Sequence, residues 1–246
     1  MPVIVTSNTV FEPVPLWAKV PHGIWLREAT SVAVDSDDNV FVFNRGNKPT
    51  LVFDPDGNVI NMWGNDNPPD DVRITHDAYG NASQFWDTWF NRPHAITIDH
   101  EGNIWVVDDN AHQIHKMTKS GDYLMTIGSG TPAPKQSGDM FHRPTDVAIS
   151  KTTNEIFISD GYDNSRIHRL DPNGKLIKSW GAIGTDPGEF NVPHNLALID
   201  DEEVIVCDRE NYRVQVFTLD GEFLRQWQVH KAVAVEVTGT GDDVRI

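Results

Sequence analysis

The sequence predicts an all-β protein, a β-propeller built from four-stranded sheets, and three observations carry that prediction. One pattern of four short apolar runs recurs near residues 31–64, 94–128, 145–181 and 194–227, with part of a fifth copy at 230–246. Inside the copies, side chains alternate with period two, as in Val32-Ala33-Val34, Ile104-Trp105-Val106-Val107 and Val214-Gln215-Val216-Phe217, which is strand periodicity. Nothing between the copies reads as a long amphipathic helix. A four-stranded unit cannot cover both of its faces, so copies must stack on one another, and radial stacking gives a propeller. Residues 1–246 are therefore expected to form a single domain.

Each copy divides into strands a to d, with a innermost. Turns such as Asp54-Pro55-Asp56-Gly57, Asp171-Pro172-Asn173-Gly174 and Leu219-Asp220-Gly221 separate c from d. Proline presets φ there and glycine supplies the positive φ. Trp63, Ile127 and Trp180, each followed by glycine, close three of the copies. Closure of the ring has three readings: residues 3–26 complete one sheet, the ring closes with few blades, or the chain is part of a longer one.

Composition narrows the partners. A formal net charge of −16 repels phosphate backbones and anionic lipid, so neither nucleic acid nor membrane is expected to bind. No apolar run approaches the roughly 20 residues of a membrane helix. The stretch from Met1 to Thr9 lacks the basic and apolar segments of a secretion leader. The single cysteine, Cys207, leaves no internal disulfide and fits a reducing compartment, so the expected location is cytoplasmic.

Connectivity then sorts the side chains. Antiparallel neighbours reverse direction, so the start of a, the b–c loop and the d-to-a linker share one rim. Ser31, His94, Thr145 and His194 begin the a strands on that rim, and the fifth copy offers Lys231, or His230 one residue earlier. The b–c loops bring Arg45, Tyr162 and Arg209 to the same rim. Side chains that begin strand a converge on the axis, where His94 and His194 can meet. Neutral imidazole suits zinc or another first-row cation. The two arginines and the tyrosine would then surround a small anionic substrate, with arginine gripping a carboxylate. A second reading stands beside this one. Each Pro-His pair can be a hydrogen-bonded blade junction, each arginine an ordinary ion-pair partner, and Tyr162 a packing residue. His112, His115, His142 and His168 read as surface or inter-blade residues, and Cys207 as a small core hydrophobe.

The repeat pattern resembles the NHL repeat family, whose copies usually form six-bladed propellers. A sharper resemblance lies in particular motifs: Pro93-His94, Pro144-Thr145-Asp146-Val147-Ala148, Ser159-Asp160-Gly161-Tyr162-Asp163-Asn164-Ser165-Arg166-Ile167, Val192-Pro193-His194-Asn195 and Asp208-Arg209-Glu210-Asn211. These are similar to peptidyl-α-hydroxyglycine α-amidating lyase (peptidylamidoglycolate lyase). Phe43-Asn44-Arg45-Gly46 resembles that family's Phe-His-Arg-Gly, with Asn44 in place of histidine. The family cleaves the carbon–nitrogen bond of an α-hydroxyglycine amide and releases glyoxylate. The resemblance implies that His94 and His194 ligate zinc, that Tyr162 is the catalytic base, and that Arg45 and Arg209 orient substrate. It also implies that backbone carbonyls of Val32 and Ile96 help hold a structural calcium. The family's third zinc histidine, in a Pro-His-Asp motif, has no clear equivalent before Ile246.

Three functions follow. The first is a metal-dependent carbon–nitrogen lyase acting on a small-molecule or peptide α-hydroxyglycine, or on an amido- or ureidoglycolate. The second is a non-catalytic NHL propeller that presents one rim to a protein partner. The third is a metal-free hydrolase or lactonase, which needs an axial carboxylate and asparagine set that the sequence does not make evident.

Overall fold

Alternating side chains force each strand to serve two neighbours, and the sheets stack accordingly. The structure, a computed structural model, describes residues 4–5, 10–65, 72–76, 82–86, 88–239, 241 and 244–246. At the N-terminus β1 (Ile4–Val5) and β2 (Val10–Phe11) pair only with each other. The first blade is β3 (Ala29–Val34), β4 (Val40–Asn44), β5 (Thr50–Phe53) and β6 (Val59–Trp63). A separate hairpin, β7 (Val72–His76) with β8 (Ala82–Trp86), interrupts the linker, whose remaining middle part lies outside the described residues. The second blade is β9 (Pro93–Ile98), β10 (Ile104–Asp108), β11 (Gln113–Met117) and β12 (Tyr123–Ile127). The third is β13 (Asp146–Ile149), β14 (Ile156–Asp160), β15 (Arg166–Leu170) and β16 (Leu176–Trp180). The fourth is β17 (Pro193–Ile199), β18 (Glu203–Asp208), β19 (Arg213–Thr218) and β20 (Phe223–Gln228).

All four sheets are antiparallel in simple sequence order. The inner strands β3, β9, β13 and β17 stand side by side around a channel of about 1110 Å³, and Val233 to Val237 line the fifth position. Four complete blades in a ring thus form the propeller among the described residues.

The core lies between blades. In β10, Ile104 and Val106 face Phe41, Phe43 and Val52 of the first blade. Their alternates Trp105 and Val107 face Val147, Ile156 and Ile158 of the third. A third cluster packs Phe157, Ile167 and Trp180 against Leu196, Val204, Val206 and Phe217 of the fourth blade. Burying each such side chain contributes about 1.5–3 kcal/mol, so stacking, not any single sheet, holds the ring.

The closing Trp or Ile of one blade rests on the c–d turn of the next. A Cβ built on Gly121 would stand 2.8 Å from the Trp63 ring, one on Gly174 3.0 Å from Ile127, and one on Gly221 2.5 Å from Trp180. These glycines have φ between +79° and +96°, so both backbone and space exclude a side chain. Gly57 meets Trp17 in the same way, and Trp17 also packs on Phe53 at 5.5 Å. The N-terminal stretch therefore stands in for a preceding blade's edge. Among the described residues it adds no strand to a blade, and it meets the first blade through an isolated bridge between Lys19 and Asn58.

Candidate active site at the mouth of the channel

Three of the inner strands start with a bulge, and the bulges aim the site. Opposite β10, Pro93 pairs with Asp108 and Ala95 with Val107, which leaves His94 unpaired. Opposite β18, Pro193 pairs with Asp208 and Asn195 with Cys207, which leaves His194 unpaired. In the first blade the skipped residue is Thr30, between Ala29 and Ser31. A bulged residue is re-aimed out of the pleat, and both histidines swing toward the axis. The position equivalent to them in the first blade is therefore Thr30, not the expected Ser31.

Hydrogen bonds repeat the same geometry. His94 Nδ1 donates to the Thr145 carbonyl at 2.6 Å, and His194 Nδ1 donates to the Val233 carbonyl at 2.8 Å. The latter bond places Val233 where the fifth copy was expected to carry Lys231 or His230. His230 instead lies against the Tyr212 ring at 5.5 Å. Among the described residues no third imidazole joins His94 and His194, and the register after Val233 is held by Asn195, whose Oδ1 accepts the Val235 amide at 2.7 Å.

A carbonyl can only accept, so each Nδ1 carries a proton and each neutral ring presents Nε2 as a lone pair. Burial, with His194 and nearby arginines adding to it, brings the His94 pKa down to about 3. His194 is also lowered, mainly by burial and next by Arg209 among the groups that lower it. Both Nε2 atoms face the Tyr162 hydroxyl, at 2.9 Å from His94 and 3.2 Å from His194. The imidazole centroids are 5.0 Å apart. One phenol proton serves two lone pairs, so one nitrogen always lacks a donor. Two fixed imidazoles aimed at one point could supply two of the ligands of a first-row cation. Among the described residues no third His, Cys, Asp or Glu joins them.

The b–c loops hold their side chains by a shared clip. The backbone N–H of Arg45, Asp109, Tyr162 and Arg209 donates to the carbonyl of Arg27, Arg92, Arg143 and Val192, at 2.8, 3.3, 3.4 and 3.2 Å respectively. Strand b ends in a buried carboxylate that anchors the linker in three blades. Asp108 accepts the Arg92 amide at 2.8 Å, Asp160 the His142 amide at 2.9 Å, and Asp208 the Asn191 amide at 2.7 Å. In the first blade Asn44 stands at that position, its Oδ1 accepting the Gly46 amide of its own loop at 2.7 Å, while Asn47 Oδ1 takes the Trp25 amide of the preceding segment at 2.9 Å.

The structure brings the expected site residues to one mouth. Arg45 donates through Nε to the Pro93 carbonyl at 3.1 Å, beside His94, and pairs with Glu28 at 2.7 Å. The Arg209 guanidinium stands 5.8 Å from the Tyr162 ring centroid and pairs with Glu210 at 2.9 Å. Val32 and Ile96 lie lower, on adjacent inner strands that line the channel, and the Ile96 carbonyl accepts from Ser31 Oγ at 3.4 Å. A carboxylate and an asparagine do occur in the channel wall. Asp146 and Asn195 are hydrogen-bonded to each other, and Asp146 also takes the Leu196 amide at 3.2 Å. Cys207 is buried, and burial pushes its thiol up to about 12, as a core role requires.

Three further residues were not singled out from the sequence. Arg143 lies with Cζ 4.5 Å from the Tyr162 ring centroid, and Arg92 and Arg143 both pair with Asp109. A signal existed: Arg-Pro precedes strand a twice in the same register, at Arg92-Pro93 and Arg143-Pro144.

The NHL repeat profile matches residues 190–217. A peptidylglycine α-amidating monooxygenase of Rattus norvegicus is 35% identical over 211 residues, covering 81% of this chain and 21% of the rat protein. A probable peptidyl-α-hydroxyglycine α-amidating lyase of Caenorhabditis elegans is 43% identical over 133 residues, covering 52% of this chain and 37% of the worm protein. The chain thus spans about a fifth of the rat relative and little over a third of the worm one. A streptogramin B lyase structure superposes with a TM-score of 0.57 at 16% identity, covering 89% of this chain and 61% of that one, which supports the fold alone. No helix among the described residues is long and apolar enough to cross a membrane. The chain is an NHL-repeat β-propeller that resembles the peptidyl-α-hydroxyglycine α-amidating lyases.

Proposed function

We propose that this chain is a carbon–nitrogen lyase that releases glyoxylate from an α-hydroxyglycine amide or a related amido- or ureidoglycolate. The observation that carries the reading is the pair of Nε2 lone pairs from His94 and His194 meeting at a single phenol proton. Zinc fits that donor set, with the two imidazoles as its protein nitrogens. When bound, it would lower the pKa of the substrate hydroxyl. Calcium, as a structural ion, would take the carbonyls of Val32 and Ile96.

The residues divide the work by position. Arg45 and Arg209 would hold the glycolate carboxylate. The Tyr162 oxygen takes the hydroxyl proton as its own phenol proton passes to the departing nitrogen. The C–O bond then becomes the aldehyde of glyoxylate as the C–N bond breaks. Its electron pair leaves on nitrogen, which receives the proton to give the free amide. No water or redox partner enters, so atoms and charge balance. The blades hold these groups in place before substrate arrives, which is where much of the acceleration by orientation originates.

Elemental analysis of the purified protein, with His94→Ala and His194→Ala alongside, tests the metal. Near-stoichiometric zinc lost in both variants is the expected result. Glyoxylate release from N-acetyl-α-hydroxyglycine tests the reaction, and full activity in Tyr162→Phe would falsify the assignment of the base.

A further inference from the structure

Each carboxylate at the mouth serves two cations, and they differ in burial. Glu28 takes Arg45 at 2.7 Å and Arg27 at 3.9 Å, and Glu210 takes Arg209 at 2.9 Å and Lys231 at 3.2 Å, both from positions open to solvent. Arg92 and Arg143 share a third. Arg92 Nη1 lies 2.7 Å and Arg143 Nη2 3.2 Å from the same oxygen, Oδ2 of Asp109. Asp109 has a fully buried side chain, whereas the two arginines remain 34% and 27% exposed. The carboxylate is therefore an internal anchor, and the guanidiniums keep open edges toward solvent. Buried Arg143 Nε has no hydrogen-bond partner, and neither does Asp109 Oδ1. Two cations on one buried anion leave a surplus positive charge beside Tyr162 and His94, within a protein of net charge −16. A low-dielectric cleft of that sign concentrates anions that the remaining surface repels.

Asp109 also occupies the loop position that carries Arg45, Tyr162 and Arg209 in the other blades. At the one place where an acid replaces these groups, it draws in two arginines from linkers that precede strand a. Arg143 in turn lies against the Tyr162 ring, which ties this cluster to the site already described.

We infer that Arg92 and Arg143, held by Asp109, form a second carboxylate subsite, and that the substrate is a dianion with an acidic group on the acyl side of the scissile bond. The substrate class rests on the lyase reading, but the subsite does not, and the experiment separates them. Calorimetric titration with succinate and with butyrate compares two and one carboxylate on the same carbon chain. Succinate is expected to bind at least about 10-fold more tightly, as a charge-assisted hydrogen bond to a fixed guanidinium implies. That ratio is expected to collapse in Arg143→Gln and Arg92→Gln and to persist in reduced form in Arg143→Lys, with circular dichroism checking that each variant is folded. Equal affinity for the two acids, or a ratio unchanged in folded glutamine variants, overturns the subsite. Glyoxylate release from N-succinyl- and N-acetyl-α-hydroxyglycine is then measured on the intact protein. Preference for the succinyl compound supports the dianion assignment, and equal turnover overturns it. Succinate binding that depends on the arginines with no glyoxylate from either compound leaves the subsite standing and removes the lyase.

Discussion

Replacing Asp146 by asparagine should stabilise this protein in alkaline solution and do little in acid. Asp146 begins β13 with only 4% of its surface exposed. Burial pushes its carboxyl from the ordinary 3.8 to about 7, with Glu236 adding to the rise and the Leu196 and Val147 amides opposing it. Below about pH 4 the proton is bound in both folded and unfolded chains, and the two states are equally served. Between about pH 4 and 7 the unfolded chain releases the proton while the folded chain keeps it, so stability falls as pH rises. Above about pH 7 both states are ionised and the full penalty is present, at most ~4 kcal/mol for a displacement of this size. Asparagine presents an uncharged acceptor to Asn195 and Leu196, so Asp146→Asn should recover about 1–3 kcal/mol at alkaline pH. For a domain of this length that is a rise in Tm of about 3–10 °C. Thermal unfolding of both proteins near pH 5 and near pH 8.5 measures it. An equal difference between them at the two pH values would refute the role of ionisation and leave only a packing effect.

The other expectations are simpler. Gly221→Ala places a Cβ 2.5 Å from Trp180 at a φ of +79°, so urea unfolding should show a loss of about 2–4 kcal/mol. Gly188→Ala, whose Cβ meets nothing within 4 Å, should lose only the backbone part of that, about 1–2 kcal/mol. Native protein should leave Cys207 unreactive toward a thiol reagent at neutral pH and yield one thiol per chain in denaturant, since the side chain is buried and its pKa about 12. Tyr162→Phe should cut kcat by about 100-fold or more, the usual contribution of a positioned proton acceptor, while zinc content stays near wild type.

Most of the architecture was legible because it repeats. Trp63, Ile127 and Trp180 recur before glycine, and the turns recur before them, so the limits of the four copies fall within a few residues of the observed sheets. The convergence of His94, Tyr162 and His194 was legible from connectivity alone. The bulges were not. Whether Thr30 or Ser31 stands at the axis depends on a one-residue slip in pairing, and nothing in the side-chain alternation marks it. A shift of two residues separates the expected Lys231 from the observed Val233, and the alternation of Val233 and Val235 is the same in both registers. Asp109 and its two arginines escaped notice for another reason. An acidic residue in a loop reads as solvated, and only burial shows that it is an anchor.

The glycine turns beneath Trp63, Ile127 and Trp180 make the periphery of the ring a spacing gauge. Each indole or isoleucyl side chain seats on a bare backbone, so the outer edges of neighbouring blades close to one fixed pitch. His94 and His194 belong to the second and fourth blades, and the distance between them spans two such intervals. A methyl group wedged under Ile127 or Trp180 would act as a shim at the rim and fan the blades apart about their inner strands. The imidazole spacing at the hub is in this sense machined at the circumference, by residues that never approach the substrate.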